Sequence, residues 1–328
     1  MIIDVHRHLV LKGTVQGAYI KGASRSFSMM YNKAHKTSVS PRAYIDEIMR
    51  KEIDEHADNV VEEMDKAGVD MSVTFAVDYG LAFGEAPVHI FDQNRLYAEI
   101  ARRHEGRMIP FMAIDPRRQG GLKHCEQAYH EWGMKGFKLH AGVGYMPDDP
   151  VCNWVYEKAT EWQIPIMCHT GGAPTVALRW ENSRPAYFAS AAARYPDVNF
   201  IFAHAGDIGW WREAMQAAAW MPNVFLDLSL WQKPYKKMRE GEFARWLRHL
   251  TDMVGADKIM FATDAPHPNL HLRMPEWVKV FAGLGKEFSE EEKNMILGGT
   301  AMKVLKLEDR PGKSASGAAK QSATAASK

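Results

Sequence analysis

The 328-residue chain has little cysteine: only Cys125, Cys152 and Cys168, with no CxxC pair. So sparse and odd a set argues against a disulfide framework and suits a reducing compartment, so a cytoplasmic protein is expected. Neither sign of charge is in excess, since 41 Lys and Arg face 40 Asp and Glu. That argues against nucleic acid or an anionic membrane as the main partner. No apolar run is long enough to span a bilayer, and no basic segment with a cleavage site precedes the first apolar run. GxSxG, Walker and dinucleotide glycine patterns are missing too, so serine-hydrolase, nucleotide and nicotinamide chemistries have no support. What remains is a globular composition, 46% hydrophobic and 25% charged, in a length that fits one large domain or two ordinary ones.

What is present is a repeat. Eight short apolar, β-rich runs occupy residues 2–6, 71–77, 108–114, 136–140, 165–169, 199–204, 224–229 and 258–264. Helical patterns fall between them at 59–67, 91–104, 121–132, 152–162, 184–195, 210–220 and 242–254. Gly68 and Gly133 read as helix stops. Ser289, followed by Glu290, Glu291 and Glu292, reads as the N-cap of a last helix. Strands alternating with helices imply parallel βαβ units. Eight of them predict an α/β fold, a (β/α)₈ TIM barrel forming one domain over residues 1–307. An open doubly wound sheet is the alternative, because periodicity does not show closure. Residues 9–37 carry little periodicity and are expected to form either a lid over the end of the first strand or a surface or oligomer arm. Residues 308–328, rich in Lys, Ser, Ala and Gly, read as a disordered tail.

Chemistry-bearing residues gather at the ends of these runs. The first run leads into Asp4-Val5-His6-Arg7-His8. Side chains alternate along a strand, so His6 and His8 share a face. The fourth run ends in Lys138 and His140, again a same-face pair, and others end in His169, His204 and Asp264. Barrel enzymes build their sites at the C-terminal strand ends, so these side chains are predicted to converge. Neutral imidazoles with a carboxylate suit Zn²⁺ first, and Mn²⁺, Fe²⁺ or Ni²⁺ as well. Cys168 faces away from His169 and is expected in the core. Arg179 and Arg184 either clamp a substrate carboxylate or sit solvated in their loop. Trp210, Trp211 and Trp231 either wall a pocket or pack the outer helices. His140 reads as a substrate contact or a residue supporting a ligand from behind, rather than a ligand itself.

The segments DVHRH (4–8), GFKLH (136–140), CHTGG (168–172), FAHAG (202–206), PNVFLDLS (222–229), FATDAPH (261–267) and ILGGTA (296–301) resemble, in order and spacing, the amidohydrolase superfamily. Within it they resemble the branch that contains aminocarboxymuconate semialdehyde decarboxylase and related metal-dependent hydrolases. The resemblance implies a distorted (β/α)₈ barrel holding one or two divalent metals. His6, His8, His169 and Asp264 would be ligands. His204 would be a second-metal ligand or an acid/base. Lys138 would be a carboxylated bridge between two metals, a cation for a substrate carboxylate, or a partner of Asp227. Thr263 and Thr300 stand where this branch often has Ser and Asn. The expected activity is metal-dependent hydrolysis of a small lactone, amide or related carbonyl compound, with Asp264 moving the proton of a metal-activated water. The alternatives are non-oxidative decarboxylation of an aromatic or muconate-type acid and a non-catalytic binding barrel. A small-molecule substrate and a homodimer or higher homo-oligomer complete the expectation.

Overall fold

The computed structural model describes residues 1–175 and 177–307, so the expected tail at 308–328 lies outside the described residues. Its strands are β1 (Ile3–Arg7), β2 (Met71–Thr74), β3 (Met108–Pro110), β4 (Met112–Ala113), β5 (Phe137–Leu139), β6 (Ile166–His169), β7 (Phe200–Ala203), β8 (Val224–Asp227) and β9 (Ile259–Met260). They fall on the eight expected runs, with β1 reaching one residue past the first, and form two sheets, β1-β2-β3 and β4 through β9 in sequence order. All pairings are parallel.

Backbone hydrogen bonds bridge both seams between the sheets. β3 and β4 are pieces of one run parted at Phe111, whose N–H donates to Thr74 O at 2.9 Å, while Met112 N–H donates to Gly136 O at 2.8 Å. That run therefore passes the ladder from β2 to β5. On the other side Val5 N–H donates to Phe261 O at 3.1 Å, Asp264 N–H to His6 O at 2.7 Å and His8 N–H to Ala265 O at 2.9 Å. The Asp4 carboxylate reinforces this seam by accepting from Thr263 N–H at 2.9 Å and Thr263 Oγ1 at 2.6 Å. The runs thus surround one interior as a distorted (β/α)₈ barrel.

Covered on both faces, the strands are buried almost throughout, as parallel strands require. Ile3, Val5, Val73, Ile109, Met167, Ile201 and Met260 pack inside the barrel. Phe137, Leu139, Phe200, Phe202 and Phe261 pack outward under the helices. Strict alternation would put His6 on the face opposite Val5. A register shift between Asp4 and Arg7 lets both turn inward.

The helices that matter for the site are α1 (Gly17–His35), α2 (Asp58–Ala67), α3 (Ile90–Arg103), α4 (Gly121–His130), α5 (Asn153–Trp162), α6 (Pro185–Arg194), α7 (Asp207–Trp220) and α8 (Glu242–Val254). Gly68 ends α2 in the left-handed region at φ +70°, a conformation that suits glycine. Ser289 accepts from Glu292 N–H in a capping box. Within residues 9–37, 19 residues form helix α1. Tyr19, Ala23, Phe27 and Tyr31 recur at four-residue spacing along it. Ser, Gly and Lys between them dilute that stripe in the sequence. Ala23 and Phe27 bury against Tyr44. Among the described residues no helix is long and apolar enough to cross a membrane.

Candidate metal centre

Four imidazoles and one carboxylate meet at the C-terminal mouth of the barrel. Each ring is held at its outer nitrogen by an oxygen. His6 Nδ1 donates to Asp227 Oδ2 at 2.9 Å, His8 Nδ1 to Phe75 O at 3.2 Å and His169 Nε2 to Gly172 O at 3.1 Å. His204 Nδ1 lies 2.7 Å from Ser229 Oγ, whose own hydroxyl donates to Asp227 Oδ1. With tautomers assigned from these acceptors, the inner nitrogen of every ring carries a lone pair. Those lone pairs face other acceptors. His6 Nε2 and His8 Nε2 lie 3.0 and 3.1 Å from Asp264 Oδ1, and His204 Nε2 lies 3.2 Å from His169 Nδ1. One donor atom from each of His6, His204 and Asp264 falls within 4.8 Å of the others.

Acceptors facing acceptors in a buried site need something positive among them. Burial holds His8 below its ordinary pKa, and His169 and His204 well below it, so protons are scarce there. His6 is the exception: burial and Lys138 push it down, but Asp227 and Asp264 outweigh them and raise it. Burial opposes ionisation of Asp264 as well, yet His6 and His8 hold its carboxyl well below the usual range. Once His6 gives up its inner proton, imidazoles around an ionised carboxylate, each ring oriented from behind, form the donor set of a divalent transition metal. The residues present fit such an ion.

Asp227 organises the rear of this set. Besides His6 Nδ1 and Ser229 Oγ, its Oδ1 accepts from His204 N–H at 2.8 Å and Ser229 N–H at 3.0 Å. The backbone is strained at two of the converging residues, with φ +63° at His204 and +56° at Asp264. Each such conformation costs about 1–3 kcal/mol and persists only where the surroundings impose it. Here Trp231 Nε1 donates to His204 O at 3.0 Å, and Asp264 N–H is held by His6 O. The edges of His6 and His8 meet the Phe75 ring, with centroids 4.8 and 5.1 Å away.

Lys138 is buried with its Nζ 3.5 Å from His6 Nε2 and 4.6 Å from the centre of the Phe75 ring. Burial pulls its amine down to about 8, against the pull of Asp227 and Asp264. Among the described residues it forms no ion pair with Asp227, whose oxygens are taken by His6, Ser229 and His204, so that one of its three expected roles falls. His140 stacks on His169 at 3.9 Å and 10°. Its Nδ1 and Ser183 Oγ are buried without hydrogen-bond partners among the described residues.

Other expected residues lie apart from the cluster. Arg184 is exposed and its guanidinium is ion-paired with Glu213 on the surface. Arg179 is exposed, and its backbone N–H bonds Gly142 O at 2.8 Å. Trp210 is half-buried at a kink in the first turn of α7. Trp211 packs on Trp246 and His249. Trp231 stacks on Trp246 at 3.6 Å. Cys168 is buried, as expected.

Sequence reasoning overlooked Phe75 and Ser229, and weighed Asp227 only as a partner for Lys138. A signal existed for two of them. Asp227 and Ser229 end the seventh run two residues apart, as His6 and His8 end the first.

A family model described as amidohydrolase matches residues 3–307. The 2-amino-3-carboxymuconate-6-semialdehyde decarboxylase of Dictyostelium discoideum is 23% identical, over 93% of this chain and 92% of its own. Among solved structures, 5-carboxyvanillate decarboxylase LigW from Sphingomonas paucimobilis superposes with a TM-score of 0.65 at 15% identity, covering 93% of this chain and 98% of that one. The dihydroxybenzoic acid decarboxylase of Polaromonas sp. JS666, with bound manganese and the inhibitor 2-nitroresorcinol, gives 0.63 at 16% identity, covering 93% and 97%. At these identities the structural likeness establishes the TIM-barrel fold.

Proposed function

The chain belongs to the amidohydrolase family, and on that premise we propose that it is a metal-dependent decarboxylase, releasing carbon dioxide from a small aromatic or muconate-type acid. The observation that carries this reading is the relative matched nearly end to end, which is named as a decarboxylase. Both solved neighbours described above carry the same activity in their names. Hydrolysis, the first expectation, uses the same metal chemistry and loses its precedence on that comparison alone.

We assign His6, His8, His169 and Asp264 as ligands of one divalent cation, with manganese the first candidate because a neighbour holds it. Such a cation supplies a Lewis acid for the oxygens of the substrate. The chain supplies the rest. When the carboxyl group leaves as carbon dioxide, its bonding electron pair stays on the ring carbon, which must then take up a proton. Asp264 and His204 are the groups that present an inward atom for holding that proton. Behind His204, Ser229 and Asp227 offset the charge of an imidazolium. The deeply buried cluster keeps water from competing with the substrate.

Purified protein loaded with Mn²⁺ is expected to release carbon dioxide from 2,6-dihydroxybenzoate or 5-carboxyvanillate, to stop on chelation, and to recover when the metal is restored. Metal-dependent acid formation from lactones or amides, with no carbon dioxide from any aromatic acid, would reverse the assignment.

Lys138 is assigned as the cation that meets the substrate carboxylate. Asp227 and Asp264 favour its charged form against burial, and the Phe75 face accommodates a cation. Metal analysis after incubation with bicarbonate and excess Mn²⁺ is expected to find one ion per chain both in the wild type and in Lys138→Ala, while KM rises in the variant. Two ions falling to one would show that Lys138 is a carboxylated bridge.

A further inference from the structure

A line of aromatic rings leads out of the metal centre to helix α1. His140 stacks on His169, and Tyr79 meets His140 edge-on at 5.4 Å and 65°. Tyr19, on α1, stacks on Tyr79 at 4.5 Å and 15°. Phe83 borders both tyrosines at 5.6 and 6.0 Å. The helix is seated over the strand ends at further points. Phe27 packs on His267 at 4.8 Å, three residues beyond Asp264. Gly22 approaches the loop after His169 so closely that a Cβ there would lie 2.8 Å from Thr175 Oγ1.

The Tyr19–Tyr79 spacing decides what this arrangement can do. A ring held between two others needs their faces about 7 Å apart, twice the contact distance of carbon atoms. No third ring fits between Tyr19 and Tyr79 as they stand. An aromatic molecule that uses this face of Tyr79 must take the place of Tyr19. Burial pushes the Tyr19 hydroxyl up to about 12, so Tyr19 lies there as a neutral ring without an ionic tether. An aromatic acid brings both a ring for the stack and a carboxylate for the buried positive centre. An aliphatic acid brings only the second.

We propose that Tyr79 is the stacking platform for the ring of an aromatic acid, and that Tyr19 occupies that face until the acid displaces it. The proposal rests on the reading of the substrate as an aromatic acid and names the residues that select it. Its test uses 2-nitroresorcinol as the aromatic probe and glutarate as the aliphatic control, with Mn²⁺-loaded protein and binding followed by calorimetry and stopped-flow absorbance.

Tyr79→Leu is expected to weaken 2-nitroresorcinol about tenfold or more, from lost ring stacking and burial. Glutarate binding and manganese content should stay unchanged. Tyr79→Phe, which keeps the ring, should bind within about threefold of wild type. Tyr19→Ala is expected to raise the association rate several-fold and leave the dissociation rate alone, because a displaced residue does not touch the bound probe. Three results overturn the proposal: no binding of 2-nitroresorcinol to wild type, equal affinity in Tyr79→Leu, or slower association in Tyr19→Ala. Binding through Tyr79 without carbon dioxide release from any aromatic acid leaves the platform standing and removes only the decarboxylase reading.

Discussion

Asp264→Asn is expected to lower kcat by about 10²-fold or more, the range over which a positioned proton-transfer group acts, and to lower metal content with it. The geometry separates this loss from unfolding. Asp264 Oδ1 is faced by His6 Nε2 and His8 Nε2 at 3.0 and 3.1 Å. An asparagine can turn its amide N–H groups toward those lone pairs and satisfy them without any ion. It also removes a buried negative charge, a change that leaves stability equal or higher where the remaining groups stay paired. Denaturant unfolding in the presence of chelator should therefore show the variant at least as stable as wild type, while metal analysis and turnover both fall. Turnover within about threefold of wild type would remove Asp264 from the machinery. Loss of activity that tracks a collapse in stability would reduce it to a structural residue.

Much of this site is legible because its chemistry sits at the ends of apolar runs. His169, His204 and Asp264 each close a run that must be a buried strand, and a barrel brings such ends together whatever its loops do. The same logic recovers the fold, since each run pairs with its neighbour in sequence. Closure is not legible. It depends on the bonds of Val5, His8 and Asp264 to partners more than 250 positions away in the chain, and on the break at Phe111, and no periodicity encodes these. Helix α1 is hidden for a different reason. Its fully buried positions are Ala23, Ser24, Phe27 and Ser28, so half of the buried face is serine and a window average dilutes the apolar signal. Arg184 shows the limit of residue type as a guide, because a guanidinium in a loop near the site answers equally well to Glu213 on the surface. Hydrolysis and decarboxylation part at the substrate, and one donor set serves both.

Asp227 offers the sharpest separation between a ligand and the residue behind it. It touches no inward nitrogen of the cluster, yet it receives His6 Nδ1, Ser229 Oγ and the backbone N–H groups of His204 and Ser229. Burial alone would raise its carboxyl, but His6 and these donors hold it well below the usual carboxylate range. It is therefore ionised throughout the neutral range, and fixes which nitrogen of His6 faces the metal. Asp227→Ala leaves several buried donors unpaired and is expected to cost about 3–5 kcal/mol of stability, the scale for breaking a buried ionic contact. Asp227→Asn keeps the volume and one acceptor oxygen, so it should fold. Its amide N–H groups compete for the donor positions, His6 loses its orientation, and metal affinity should fall about 10- to 100-fold, as on losing a partner behind a ligand. Manganese titration of the folded Asp227→Asn protein is the measurement. If Asp227 acts through His6, then His6→Ala and the double variant Asp227→Asn/His6→Ala should bind manganese with the same reduced affinity, because the orienting contact has nothing left to orient. Additive losses in the double variant would place the effect of Asp227 on His204 and Ser229 instead.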